Sequence, residues 1–137
     1  MPLTGPAARP TLDVAAGVLH DAAGRVLIAQ RPKGKHAAGF WEFPGGKLAA
    51  GESPVAGLVR ELAEELGVVV RAAEPLLEVS HDYPDRRVVL HVFRVTSWSG
   101  EPAGLEGQPL RWVAVDELGA ARILPADQPV IAALAGG

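Results

Sequence analysis

The segment Gly46-Lys-Leu-Ala-Ala-Gly-Glu52-Ser-Pro-Val-Ala-Gly-Leu-Val-Arg60-Glu-Leu-Ala-Glu64-Glu65-Leu-Gly67-Val68 constrains this chain more than any other. Ser53 is a strong N-cap type, Pro54 suits the first helical position, and Gly67 suits the residue after the last turn. The spacing therefore predicts a helix that starts at Pro54 and stops before Gly67. Val55, Leu58, Val59, Leu62 and Leu66 recur at three- and four-residue steps and predict one apolar stripe. Glu61, Glu64 and Glu65 are expected together on another face, where like charges about a turn apart weaken a bare helix. Such a cluster is usually a solvated face. Following directly on Gly45-Gly46, it instead suits a divalent-cation site with room for phosphate, because Mg²⁺ completes an oxygen ligand set with water and substrate. Glu52 and Arg60 read as an ion pair tying the loop to the helix. Gly57 is costly inside a helix, by about 1 kcal/mol against alanine, and only close packing offers a reason for it.

Composition narrows the partners. A chain of 137 residues is long enough for one domain with a substantial core, and the net charge of −3 argues against nucleic acid or an anionic membrane as the main partner. There is no cysteine, which excludes disulfides and thiolate metal sites. No apolar run approaches membrane-spanning length and the N-terminus lacks a signal core, so a cytoplasmic protein is expected. Residues 1–10 read as a flexible tail and 11–137 as a single domain, monomeric or homodimeric. Leu12 to Leu19 and Arg25 to Gln30 are strand-like and predict a hairpin over His20–Gly24. A basic loop, Arg31–Gly39, leads to a short strand at Phe40–Phe43 and a glycine loop. Strands are further expected at Val68–Val70, Glu74–His81, Arg87–Trp98 and Leu110–Val115. A short helix capped by Asp116 follows, and a closing helix of about 6–8 residues comes after Pro125–Pro129. Strands interleaved with two or three helices predict an α/β sandwich with a mixed sheet.

Read as G-x5-E-x7-R-E-U-x-E-E-x-G-U, with U apolar, Gly46 to Val68 matches the Nudix box at every defined position, and the chain resembles the Nudix hydrolases. The resemblance implies the Nudix fold, a mixed β-sheet between α-helices. Gln30-Arg31, Trp41 to Lys47, Tyr83-Pro-Asp-Arg86, Gly100 to Pro109 and Pro125 to Ile131 look like the MutT branch. That branch hydrolyses oxidised purine nucleoside triphosphates, chiefly 8-oxo-dGTP, to the monophosphate and pyrophosphate, and so sanitises the nucleotide pool.

On this resemblance Glu61, Glu64 and Glu65 are the catalytic metal set, with Glu61 as the base, and the Gly45 carbonyl and Glu106 are further ligands of Mg²⁺ or Mn²⁺. Glu106 also reads as a plain loop glutamate. Substrate contacts are expected from Arg31, His36, Glu42, Phe43, Pro44, Gly45, Arg86 and Asp127, while Gly46, Glu52, Arg60 and Gly67 shape the box. Lys47 either meets phosphate or is solvated. His20, His81 and His91 read as structural.

Asp127 departs from the MutT pattern, which has Asn in Pro-Ala-Asn-x-Pro. An amide can donate to guanine O6 and accept from the N7–H that oxidation creates, whereas an ionised carboxylate only accepts. A buried, protonated Asp restores the donor. An acceptor alone suits the amine of cytosine, and Ala29 to Pro32, Gly39 to Glu42 and Pro125 to Asp127 also look like the branch that cleaves CTP and modified cytosine triphosphates. Tyr83–Arg86 and the Gly100–Pro109 loop favour the purine branch. A nucleotide-sensing, non-catalytic Nudix module is the remaining class, and the intact glutamates speak against it.

Overall fold

Ser53 and Gly67 do what their types suggest. In the computed structural model, which describes residues 10–136, helix α1 runs Pro54–Leu66. The Ser53 hydroxyl accepts from the Ala56 N–H at 3.2 Å, worth about 1 kcal/mol for a cap of this kind. Gly67 takes φ 72°, and its N–H donates to the Ala63 carbonyl. The tail expected over residues 1–10 lies outside the described residues, except for Pro10.

Among the described residues seven strands form two sheets. Thr11–Leu19 (β1), Gly45–Lys47 (β4), Val69–Tyr83 (β5) and Arg86–Ser99 (β6) make a four-stranded sheet in the order β4-β1-β6-β5. β1 runs parallel to β6 and antiparallel to β4, so this sheet is mixed. Val26–Gln30 (β2), Trp41–Glu42 (β3) and Leu110–Val113 (β7) form an antiparallel sheet in the order β3-β2-β7. The predicted β1–β2 hairpin is therefore a single bridge, His20 to Val26. β1 spends both edges on β4 and β6, which leaves β2 no edge to pair with. Gly45–Lys47, expected as loop, is a strand for the same reason: it covers the free edge of β1. The expected strands at Val68–Val70 and Glu74–His81 merge into the one bulged strand β5.

The two faces of the β-layer are covered separately. Ala15, Leu19 and Leu27 pack toward α1, onto Leu58, Leu62, Leu66 and Val68. Ala16, Val18, Val26 and Ile28 face the other way, onto Leu118, Ile123, Val130 and Leu134 from the C-terminal segment. Alternate residues of one strand thus feed two cores, as strand geometry requires. The apolar stripe of α1 is narrower than expected: Val55 and Val59 are 45% and 39% exposed, and burial falls on the i, i+4 row Leu58, Leu62, Leu66. Each of those leucines contributes about 2 kcal/mol by burial. Gly57 is buried against Leu48, whose side chain would have to move to admit a Cβ there, the close packing that a glycine inside the helix calls for. After β7 a 3-10 turn spans Val115–Ala120, with Asp116 in its first turn but Ala114 at the cap position and no side-chain capping bond. A second 3-10 turn, Pro125–Asp127, runs into helix α2, Gln128–Gly136.

Candidate active site

One cavity of about 540 Å³ is lined by the end of β2 with the loop after it, β3–β4, one face of α1 and the loop before β7, with side chains of β1 and β6, the β5–β6 turn and the Pro125–Asp127 turn. Its lining includes Arg31, His36, Glu42, Phe43, Gly45, Gly46, Glu61, Glu65, Arg86, Glu106 and Asp127, so nearly all the substrate and metal candidates meet there. Lys47 lines it too.

At one end carboxylates converge. Burial pushes Glu65 up to about 8, helped by the negative charges of Glu61, Glu106 and Glu42 and opposed by the Gly45 N–H. Glu61 is also raised, first by burial; Arg60 opposes the rise, and Glu64, Glu106 and Glu52 add to it. Carboxylates that repel each other in a half-buried cleft are relieved by a proton or by a cation, and their hard oxygen donors could hold Mg²⁺ or Mn²⁺. Among the described residues no three Asp, Glu or His side chains form a finished cage. Glu61 and Glu65 offer the kind of partial set that Mg²⁺ completes with water and phosphate oxygens. Gly46 is part of the fit, because a Cβ there would overlap the Glu61 carboxylate. Gly45 must also be bare, since its Cβ would strike the Ala15 carbonyl across the β1–β4 pair.

Glu64 stands apart from this set. Its side chain is 56% exposed and accepts from Arg60 Nη1 at 3.2 Å, and it is absent from the cavity lining. At 100° per residue it lies on the far side of Glu61 from Glu65, so the expected single face of three glutamates is a face of two with a flanking third. Behind it, Arg60 grips Glu52 with two bonds, Nε to Oε2 at 2.8 Å and Nη2 to Oε1 at 2.9 Å, and also donates to the Lys47 carbonyl at 3.0 Å. This fork holds Glu52 down at about 2 through the Arg60 hydrogen bonds, the Ala49 N–H adding to the effect. Glu52 and Arg60 thereby fasten the loop after β4 to the helix, outside the cavity.

The other end gathers the substrate candidates Arg31, Glu42, Phe43 and Asp127. Trp41 exchanges backbone bonds with Arg122 and Leu124, which brings the 3-10 turn against Phe43. Asp127, only 5% exposed, accepts the Phe43 N–H through Oδ2 at 2.9 Å. Burial raises it to about 7 against the lowering effect of that bond, with Glu42 raising it further and Arg31 lowering it. Arg31 is more committed than expected of a free phosphate ligand. Its Nε donates to the His36 carbonyl at 2.7 Å, and its Nη1 reaches both Glu42 oxygens at 3.1 and 3.3 Å. Glu42, raised by burial against the pull of Arg31, lies between the two ends and acts on both Glu65 and Asp127. Pro44 accepts from the Gly17 N–H and so fixes the bend before Gly45.

Tyr83 and Gln108 line the cavity and were not singled out from the sequence. The Tyr83 ring meets His36 edge-on at 5.6 Å and His81 at 4.7 Å, with the Arg86 guanidinium 5.6 Å from its centre. Its place in the Tyr83–Arg86 motif was the available signal. Arg86 Nε is buried and has no hydrogen-bond partner among the described residues, a donor left over for a ligand. His91 sits between Asp13 at 3.0 Å and Glu78 at 3.4 Å on the sheet, away from the cavity lining.

The NUDIX domain model matches residues 15–133, and the chain belongs to the Nudix hydrolase family, whose members generally depend on a divalent cation. The chain is 38% identical over 123 residues to the 8-oxo-dGTP diphosphatase of Escherichia coli K12, covering 90% of this chain and 95% of the relative. It is 37% identical over 110 residues to the CTP pyrophosphohydrolase of the same organism, covering 80% and 82%. A solved structure of MutT, from work on the Aliivibrio salmonicida and Vibrio cholerae proteins, superposes with a TM-score of 0.79 at 34% identity, covering 93% of this chain and 99% of that one. No helix among the described residues is long and apolar enough to cross a membrane.

Proposed function

We propose that the chain is a Mg²⁺-dependent nucleoside triphosphate diphosphatase that hydrolyses 8-oxo-dGTP to 8-oxo-dGMP and pyrophosphate, sanitising the nucleotide pool. Glu61, Glu65, Glu106 and the Gly45 carbonyl are the candidate cation ligands, with Glu64 joining on rotation away from Arg60. A bound divalent cation supplies Lewis-acid neutralisation of the polyphosphate. The chain's own residues do the rest. Lys47 holds phosphate charge, Arg31 adds to it while keeping its bonds to Glu42 and the His36 carbonyl, His36 contacts the substrate, and Glu61 accepts the proton of the attacking water. The water oxygen bonds to the β-phosphorus, and the bond from that phosphorus to the α–β bridging oxygen breaks. The bridging oxygen leaves with the nucleoside monophosphate.

The observation that carries the choice of base is Asp127. Its carboxyl is buried, fixed at Oδ2 by the Phe43 N–H, and raised to about 7, so near neutral pH a large share is protonated. In that form it is a donor and an acceptor at once, the pair that O6 and N7–H of an 8-oxo-purine require. The orphan Nε of Arg86 supplies a further donor to the base or sugar. A second reading, cleavage of CTP or a modified cytosine triphosphate, draws on the CTP pyrophosphohydrolase relative and on the ionised form of the same Asp127.

Initial rates with 8-oxo-dGTP, dGTP, CTP and 5-methyl-dCTP, with pyrophosphate and phosphate both quantified, separate these readings. The oxidised purine should be turned over fastest, with pyrophosphate as product. A cytosine nucleotide in first place would move the assignment to the second reading. No pyrophosphate from any of the four would end the enzymatic one.

A further inference from the structure

The last-turn carbonyls of a helix have no partner inside the helix, and what satisfies them decides what is held at that end. In α1 they are taken by the loop before β7. Leu105 N–H donates to the Glu65 carbonyl at 3.0 Å and Ala103 N–H to the Leu66 carbonyl at 3.1 Å. A side chain completes the attachment. Gln108 Nε2 donates to the same Glu65 carbonyl at 3.2 Å, and Gln108 Oε1 accepts the Glu106 N–H at 2.9 Å. One amide thus joins the main chain of two candidate ligand residues that are 41 positions apart in sequence. The amide makes both bonds together because it carries a donor and an acceptor on one planar group, whereas an ionised carboxylate or a thioether of the same length lacks the donor.

Backbone bonds fix the loop up to Leu105, and a turn bond from the Gly107 N–H to the Gly104 carbonyl at 3.0 Å follows, but the Glu106 N–H is held by the Gln108 side chain. Gly107 adopts φ 81°, and Gly104 is packed so closely that a Cβ would meet the Gln108 carbonyl. Glycines on either side of Glu106 make its backbone easy to displace. We propose that Gln108 is a positioning residue for the cation site: it fixes Glu106 against Glu65 so that both carboxylates can reach one divalent ion. This rests on the diphosphatase reading above, in which those glutamates bind the ion.

The test is direct Mn²⁺ binding to the full-length protein, followed by the loss of the free-ion electron paramagnetic resonance signal, for wild type, Q108A, Q108M, E106A and the double variant Q108A/E106A. Hydrogen bonds that orient ligands are commonly worth at least tenfold in metal affinity, so Q108A and Q108M should each weaken Mn²⁺ by about tenfold. Q108M keeps the volume of the side chain, which separates the lost bonds from lost packing. If Gln108 acts through Glu106, the double variant should bind no more weakly than E106A alone, the signature of two residues working as one unit. With saturating metal, kcat of Q108M should return to within about threefold of wild type, while the metal concentration for half-activation stays raised. Wild-type affinity in both Gln108 variants, or losses that multiply in the double variant, would overturn the proposal and leave the diphosphatase reading intact. Failure of the wild type itself to bind Mn²⁺ or release pyrophosphate would overturn both.

Discussion

Asp127 offers a test that needs no substrate. Its carboxyl ordinarily titrates near 3.8 and is held in the fold at about 7, mainly by burial. Between those two values the folded state binds a proton that the unfolded state has lost. Stability therefore falls as pH rises through this window and levels off above it. At about 1.4 kcal/mol per pH unit, the interval amounts to roughly 4 kcal/mol. Asp127→Asn removes the titration and keeps the shape, because the amide oxygen can accept the Phe43 N–H that now goes to Oδ2. Urea unfolding followed by tryptophan fluorescence in the presence of a chelator, at pH 4 and at pH 8, gives the free energies. Relative to wild type, the variant should gain about 4 kcal/mol on going from pH 4 to pH 8. Glu65 titrates in both proteins and cancels from the difference. Parallel curves for the two proteins would mean that Asp127 ionises like a surface carboxylate, and the protonated donor to the purine would fall with it.

Other outcomes follow from the carboxylate end and its supports. Glu65→Gln should lower turnover by roughly 10² or more, the scale of losing a major electrostatic contributor, and full retention of turnover would remove Glu65 from the site. Gly46→Ala should keep the fold but displace the Glu61 carboxylate that its Cβ would overlap. Thermal unfolding near that of wild type with activity at least tenfold down is expected, and an active variant would refute the close fit. Because Glu52 is held at about 2, below its ordinary 4.5, its clasp with Arg60 contributes above pH 4.5 and is lost as pH falls toward 2. Glu52→Gln should flatten the acid limb of the stability curve there, and an unchanged limb would show that the clasp carries no proton linkage.

Much of α1 could be read in advance because its determinants are local. Ser53, Pro54 and Gly67 act within a turn of themselves, and the box places Glu61 and Glu65 by helical spacing alone. What escaped depends on distant neighbours. The β1–β2 hairpin looked sound from two apolar runs and a turn, yet both edges of β1 were already claimed by strands far along the chain. Val55 and Val59 fit the stripe by spacing, but among the described residues both stay exposed. Glu64 belongs to the motif, while Arg60 decides where its side chain lies. Asp127 was legible as a departure in type, whereas its burial and its bond to Phe43 come from the pairing of Trp41 with residues 122–124. Gln108 carried no signal of its own, because its meaning depends on the end of a helix more than forty residues earlier.

The long β5–β6 ribbon has a consequence for how such a molecule can change. Its turn brings Tyr83 and Arg86 to the base end, while Glu61, Glu65 and Glu106 belong to α1 and the loop before β7. On the diphosphatase reading proposed above, recognition by the ribbon's tip and bond-breaking are carried on separate stretches of chain. On that reading, substitutions at the ribbon's tip and at the Pro125–Asp127 turn redirect which nucleotide is accepted while the glutamates of α1 stay as they are, so one hydrolytic engine can be refitted to new bases.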